Sequence, residues 1–216
     1  MASVVVNGDT SGAVTLSAPA VAGTVTVTLP STSGTMAVTG ASQSFTNITA
    51  TGTIQGASTI GVGNATPAAS GAGITFPATQ SASSDVNTLD DYEEGTWTPS
   101  LGGTATYSAR TGDYVKIGVM VTAFFDITVS SIGTGSGSLI SGLPFTSGGG
   151  TQGMPGSASF WSSLATALTF LNLRVDLGAT TIGTSGTSAA QTTITNGPNI
   201  FGNGARLVGS VTYRTA

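Results

Sequence analysis

The sequence predicts an all-β protein, and three observations carry that prediction. Val, Ile and Thr are plentiful, while charged residues are held to 6%; disordered chains are typically charge-rich and poor in β-branched residues. Apolar residues recur two apart in several stretches, most clearly between Val115 and Val129, which is the period of a strand with one buried face. Between these stretches lie Gly-, Ser- and Pro-rich turns, drawn from 32 Gly and 8 Pro, and no segment shows a capped helical pattern. A mean hydropathy of +0.29 leaves solubility to hydroxyls and backbone.

The chain divides into three expected regions: a short-strand β region at 1–40, an extended stem at 41–88, and a β head at 89–216. In the first, Val4 to Val6 leads into the turn composition Asn7-Gly8-Asp9, and residues 13–17 form a second short strand. Residues 24–29 alternate cleanly, with Val25, Val27 and Leu29 on one face, until Pro30 ends them. This is either a small β subdomain or a docking region that fixes the stem to a larger assembly. Met1 to Val6 lacks basic residues and its apolar run stops at Asn7, so no signal peptide is expected.

The stem is low in complexity. Asp9 is the single formal charge before Asp85, and the large apolar residues are sparse. Ile48, Ile54 and Ile60 stand six apart. One such chain cannot bury enough surface to offset its own conformational entropy. Three copies about a common axis can, with each Ile meeting its own copies and small residues allowing close approach. Such an axis also accounts for the missing charge, since identical charges would face one another. A flexible Gly/Ser/Thr linker is the alternative.

The junction Leu89-Asp90-Asp91-Tyr92-Glu93-Glu94-Gly95-Thr96-Trp97 follows, and with Asp85 it gathers five of the nine carboxylates. Asp90 and Asp91 are suited to capping a turn while Tyr92 and Trp97 pin it to the head. Clustered oxygens also suit calcium, but the D-x-D-x-D-G pattern is absent. A glycosidase-type pair needs two carboxylates facing one cleft, which adjacency in sequence does not supply. No catalytic residue, metal ligand or cofactor is therefore assigned.

In the head, 104–108 reads as a strand and 109–113 as a turn. Val115, Ile117, Val119, Val121, Ala123, Phe125, Ile127 and Val129 then read as one long strand, or two with a bend near Thr122. Further strands are expected at 139–145, within 164–177, at 191–195 and at 205–214, the last with Leu207, Gly209, Val211 and Tyr213 on one face. Glycine-rich stretches at 131–137, 146–153 and 178–190 read as loops. The expected architecture is an antiparallel, jelly-roll-like sandwich.

Composition excludes several classes. Five basic residues, scattered along a chain of net charge −4, form no patch for phosphates, so no nucleic-acid partner is expected. With no Cys and no His, disulfide scaffolds and Cys/His zinc sites are excluded. No apolar run approaches the roughly 18 residues of a membrane span.

Three segments together resemble a module of tailed-bacteriophage virion proteins: Leu89-Asp90-Asp91-Tyr92-Glu93-Glu94-Gly95-Thr96-Trp97-Thr98-Pro99; then Tyr107 with Gly112-Asp113-Tyr114-Val115-Lys116-Ile117-Gly118; then Ser141-Gly142-Leu143-Pro144-Phe145. Tail fibres, tailspike-like proteins and head fibres carry it. The stretch from Gly8 to Gly12, with 25–34, is similar to the start of some phage fibre proteins. The resemblance implies a homotrimeric virion appendage whose N-terminus docks on another tail or capsid protein. A tail fibre adhering to a host glycan or protein is the leading expectation, and a capsid head fibre or decoration protein is the alternative. A polysaccharide-degrading tailspike is a lesser one, given the absent His, the small size and the lack of a long repeating β-helix. The glycine-rich loops are the expected contact surfaces. Tyr107, Phe160 and Trp161 are expected either in the core or stacked on a glycan.

Overall fold

The computed structural model describes residues 3–7, 13–17, 59–63, 65–67, 71–148, 153–188 and 193–215. The chain separates into two compact units, Met1–Ile54 and Gln55–Ala216. Every regular element among the described residues is a β-strand.

In the first unit, β1 (Ser3–Asn7) and β2 (Ala13–Ser17) form an antiparallel hairpin, from Ser3↔Ser17 to Asn7↔Ala13. The strand expected at 24–29 and the stem residues Ile48 and Ile54 lie outside the described residues.

The second unit opens with β3 (Thr59–Gly61) and β4 (Gly73–Thr75), a parallel pair in which Ile60 faces Ile74. Both isoleucines are exposed, at 46% and 59%. The nine strands that follow form one sheet: β5 (Tyr92–Trp97), β6 (Thr106–Ile117), β7 (Met120–Ser131), β8 (Leu139–Ser141), β9 (Met154–Ser162), β10 (Phe170–Val175), β11 (Thr181–Thr187), β12 (Thr195–Asn196) and β13 (Arg206–Arg214). The spatial order is β12-β11-β10-β9-β13-β7-β6-β5, with β8 also paired to β11. All pairings in this sheet are antiparallel. Two meanders, β5-β6-β7 and β9-β10-β11, are thus joined side by side through the C-terminal strand β13.

The sheet curls until its two ends meet. Just past β5, Ser100 pairs with Ser141 of β8 through reciprocal backbone bonds of 2.9 and 2.7 Å. The enclosed face is apolar along its length: Val121, Phe125, Ile127, Val129, Leu171, Leu173, Val175, Leu207, Val211 and Tyr213 are all at most 5% exposed. Loop residues Leu101, Leu143, Ile200 and Phe201 close the ends of the same core. Burial of each aliphatic side chain contributes roughly 1.5–3 kcal/mol.

Three local expectations are corrected. Residues 109–113 are not a turn; they continue β6, and Gly112 is small because the Trp97 indole lies against it. The run from Val115 to Val129 is not one strand, nor does it bend at Thr122. It is a hairpin broken at Gly118-Val119, with Gly118 at φ 56°, in the first loop position where a two-residue hairpin favours glycine. The two-residue loop pairs Ile117 with Met120 and Lys116 with Val121, so it inverts which residues face inward. Odd-numbered residues face the core in β7, whereas in the part of β6 next to the turn the even-numbered ones do: Ile117 is 53% exposed and Lys116 only 4%. Finally, 178–190 is not all loop. It contains β11, whose Thr184, Ser185 and Thr187 are buried, with the Thr184 hydroxyl donating to the Ser138 carbonyl at 3.1 Å.

Candidate functional site

The junction becomes the first strand of the head. Its register runs from Tyr92↔Ile117 through Glu93↔Lys116 and Gly95↔Tyr114 to Trp97↔Gly112. Two of the three segments that carry the phage resemblance are therefore neighbouring antiparallel strands. The third, 141–145, covers their inner face.

The inward residues form a connected set. Lys116 donates to the Asp91 carboxylate, and both are buried. The Lys116 ammonium lies 5.5 Å from the centre of the Phe145 ring. Tyr114 meets the same ring edge-on at 5.5 Å and donates its hydroxyl to Glu93. That bond to the Glu93 carboxylate, helped by burial, pushes the Tyr114 phenol up to about 12. A side chain at Gly95 would strike the Tyr114 ring, since a Cβ there would sit 2.9 Å from its hydroxyl. Trp97 packs edge-on to Phe125 at 6.2 Å, and its indole N–H donates to the Phe124 carbonyl at 3.0 Å.

The third segment locks over this corner. Gly142 holds φ at 100° and passes so close to the backbone of Thr98 that a Cβ would lie 2.5 Å from its carbonyl oxygen. Leu143 is buried, and the Phe145 N–H donates to the Tyr213 hydroxyl at 3.3 Å. Burial raises the Tyr213 phenol above its ordinary value.

The remaining junction residues face outward or precede the strand. Asp90 accepts from the Ser83 N–H at 2.8 Å and from Gln80 at 3.2 Å; the Ser83 bond is the main cause holding its carboxyl below the ordinary value. It thus closes a turn ahead of the head, while Asp91, beside it, goes into the core. Tyr92 donates to Glu94 at 3.1 Å and lies 6.5 Å from Phe76. Leu89 is 56% exposed. Strand alternation sends Glu93 and Glu94 to opposite faces, so the two do not share a cleft. Among the described residues, no three His, Cys, Asp or Glu side chains converge as metal ligands.

Of the stem isoleucines only Ile60 lies among the described residues; it is exposed beside Ile74 and near Val62. Trp161 and Tyr107 are half-buried against the core, whereas Phe160 is 47% exposed beneath the Arg206 guanidinium at 5.3 Å. Sequence periodicity missed two surface features. The outer sheet face carries half-exposed Phe124 and Phe160 on either side of β13, and Phe124 borders a hollow of about 350 Å³ lined also by Val208, Gly209 and Ser210. A second hollow, about 560 Å³, opens beside Ser100, Tyr107 and Arg110.

No known family matches this sequence, and no curated protein matches it. The crystal structure of the Dettilon tailspike protein is similar at 18% identity and a TM-score of 0.48, over 72% of this chain and 31% of that one. The chain thus spans about a third of that protein.

Proposed function

We propose that this chain is a structural protein of a tailed-phage virion: a trimeric fibre whose N-terminal region docks on the particle and whose β head adheres to the host surface. The observation that carries the reading is the joint at the base of the head. The three segments that resemble phage fibre proteins, separated in sequence, assemble into one packed corner. There Asp91 meets Lys116, Glu93 meets Tyr114, Trp97 lies on Gly112, and Phe145 covers the set. That the three segments meet in one place supports the reading. The exposed Ile60–Ile74 pair supports the trimer, because an isolated two-stranded sheet with bare apolar faces is marginal in water.

Adhesion without turnover is part of this reading. Asp91 is committed to Lys116, Glu93 to Tyr114 and Asp126 to Arg206, which leaves no facing pair of free carboxylates among them for glycosidic chemistry. A tail fibre is the preferred form, and a capsid head fibre would use the same architecture at a different anchorage. A density map of the phage particle tests the proposal. Residues 1–40 in contact with a tail protein support a tail fibre, and contact with the capsid shell supports a head fibre. Particles that lack the chain would refute both.

A further inference from the structure

The larger hollow arises where the β5–β6 ladder ends. That ladder stops at Trp97↔Gly112, and the chain then turns away so that Ser100 can pair with Ser141. Among the described residues, 106–111 of β6 are therefore paired on the β7 side alone. The space beside them, about 560 Å³, is lined by Ser100, Gly102, Thr106, Tyr107, Ser108 and Arg110, with no acidic residue. Its size falls within the usual range of ligand pockets, roughly 300–1,000 Å³.

Its one charge, Arg110, is one of two basic residues in this chain, with Arg214, that make no ion pair among the described residues. Lys116, Arg174 and Arg206 are each paired with an aspartate. Arg110 has no acidic partner among the described residues, and its guanidinium lies 4.6 Å from the centre of the Tyr107 ring. Tyr107 is itself fixed, because its hydroxyl accepts from the Leu101 N–H at 2.6 Å. The loop that supplies Gly102, Gly103 and Ala105 to the lining is fixed as well: Thr104, within it, and Thr134 each donate a backbone N–H to the other's hydroxyl at 3.1 Å. A stacked, unpaired guanidinium between rigid walls is set to take a planar or tetrahedral oxyanion through two parallel bonds, with little ordering left to be done on binding.

We propose that this hollow binds an anionic saccharide. Arg110 takes the carboxylate or phosphate oxygens, and the hydroxyls of Ser100, Thr106 and Ser108 meet the sugar hydroxyls. The assignment rests on the adhesive-fibre reading for its biological sense. An acidic peptide added as a further strand is disfavoured, because β6 is irregular at Thr106/Tyr107 and Tyr107/Ala109, and bulges disrupt edge pairing.

Calorimetric titration of the full chain tests this with four probes: an oligogalacturonate, a poly(glycerol phosphate) oligomer, a neutral glucan of matched length, and a poly-glutamate peptide. The expected result is that at least one anionic polyol binds tenfold or more tighter than the glucan and the peptide. Which of the two binds identifies the source of the oxyanion. Arg110→Gln should lower that affinity at least tenfold, Arg110→Lys should lower it less, and Arg214→Gln should leave it unchanged. The site is overturned by equal binding of the glucan or peptide, by parental affinity in Arg110→Gln, or by no binding of any probe at millimolar concentration. The molar mass of the same sample separates the two claims. A trimer without sugar binding rejects the site alone, whereas a monomer rejects the fibre.

Discussion

Lys116 occupies an interior position on a strand whose outward neighbours, Val115 and Ile117, are apolar. The pattern is inside out, and Asp91 makes it tenable by supplying the carboxylate that pairs with the ammonium. Removing one partner of a buried pair typically costs about 3–5 kcal/mol, whereas replacing both with apolar groups is often neutral. Lys116→Met should therefore lower the urea midpoint of the head sharply, and Asp91→Leu with Lys116→Met should recover most of the loss; equal losses in the two would show that the pair is not the cause. Gly112→Ala would set a methyl about 2.5 Å from the Trp97 indole nitrogen, an overpacking expected to cost roughly 1–3 kcal/mol, read as a drop in melting temperature and a shift in Trp fluorescence. Tyr114 adds a pH dependence. Its folded value, about 12, stands above its ordinary 10.0, so the folded state holds the proton more tightly. Its contribution is complete below about pH 10 and is lost as pH rises toward 12. Tyr114→Phe should flatten that alkaline decline, which equilibrium unfolding at pH 9 to 12 would measure.

At the scale of elements, alternation identified the core strands wherever one face is apolar and the other polar. β7, β10 and β13 were legible for that reason: Val121 to Val129, Leu171 to Val175 and Leu207 to Tyr213 bury every second residue. The β6–β7 turn was not, because a two-residue loop preserves the apolar spacing in sequence while reversing its direction in space. β11 was hidden for another reason: apart from Ile182 its buried positions are filled by Thr184, Ser185, Gly186 and Thr187, with the Thr184 hydroxyl bonded to neighbouring backbone, so it reads as loop. The junction's residues were legible as a set, but their division between core and solvent required the register with β6. The β3–β4 pair makes its own prediction. Ile60→Asp or Ile74→Asp changes an exposed residue in the single chain, so an isolated monomer should tolerate either. If copies meet there, each variant places like charges together and desolvates them. Assembly should weaken by tenfold or more in analytical ultracentrifugation while the near-ultraviolet spectrum of the head stays unchanged. Assembly equal to that of the parent would remove these residues from the axis.

The whole molecule joins a charge-poor, aromatic-poor first part to a head with a dense core. From Asp85 onward the chain holds all five basic residues and eight of its nine acids. Before Tyr92, Asp91 alone among the residues whose burial is described is buried, and the exposed side chains of Ile60, Val62, Ile74, Val86 and Leu89 lie in or near the region where the fibre reading requires neighbouring copies. Adhesion and anchorage in the fibre reading presuppose that assembly. Light scattering coupled to size-exclusion chromatography of the full chain measures it most directly. The account predicts a molar mass three times 21.0 kDa, unchanged on dilution to micromolar concentration. A mass of 21.0 kDa under the same conditions would contradict it.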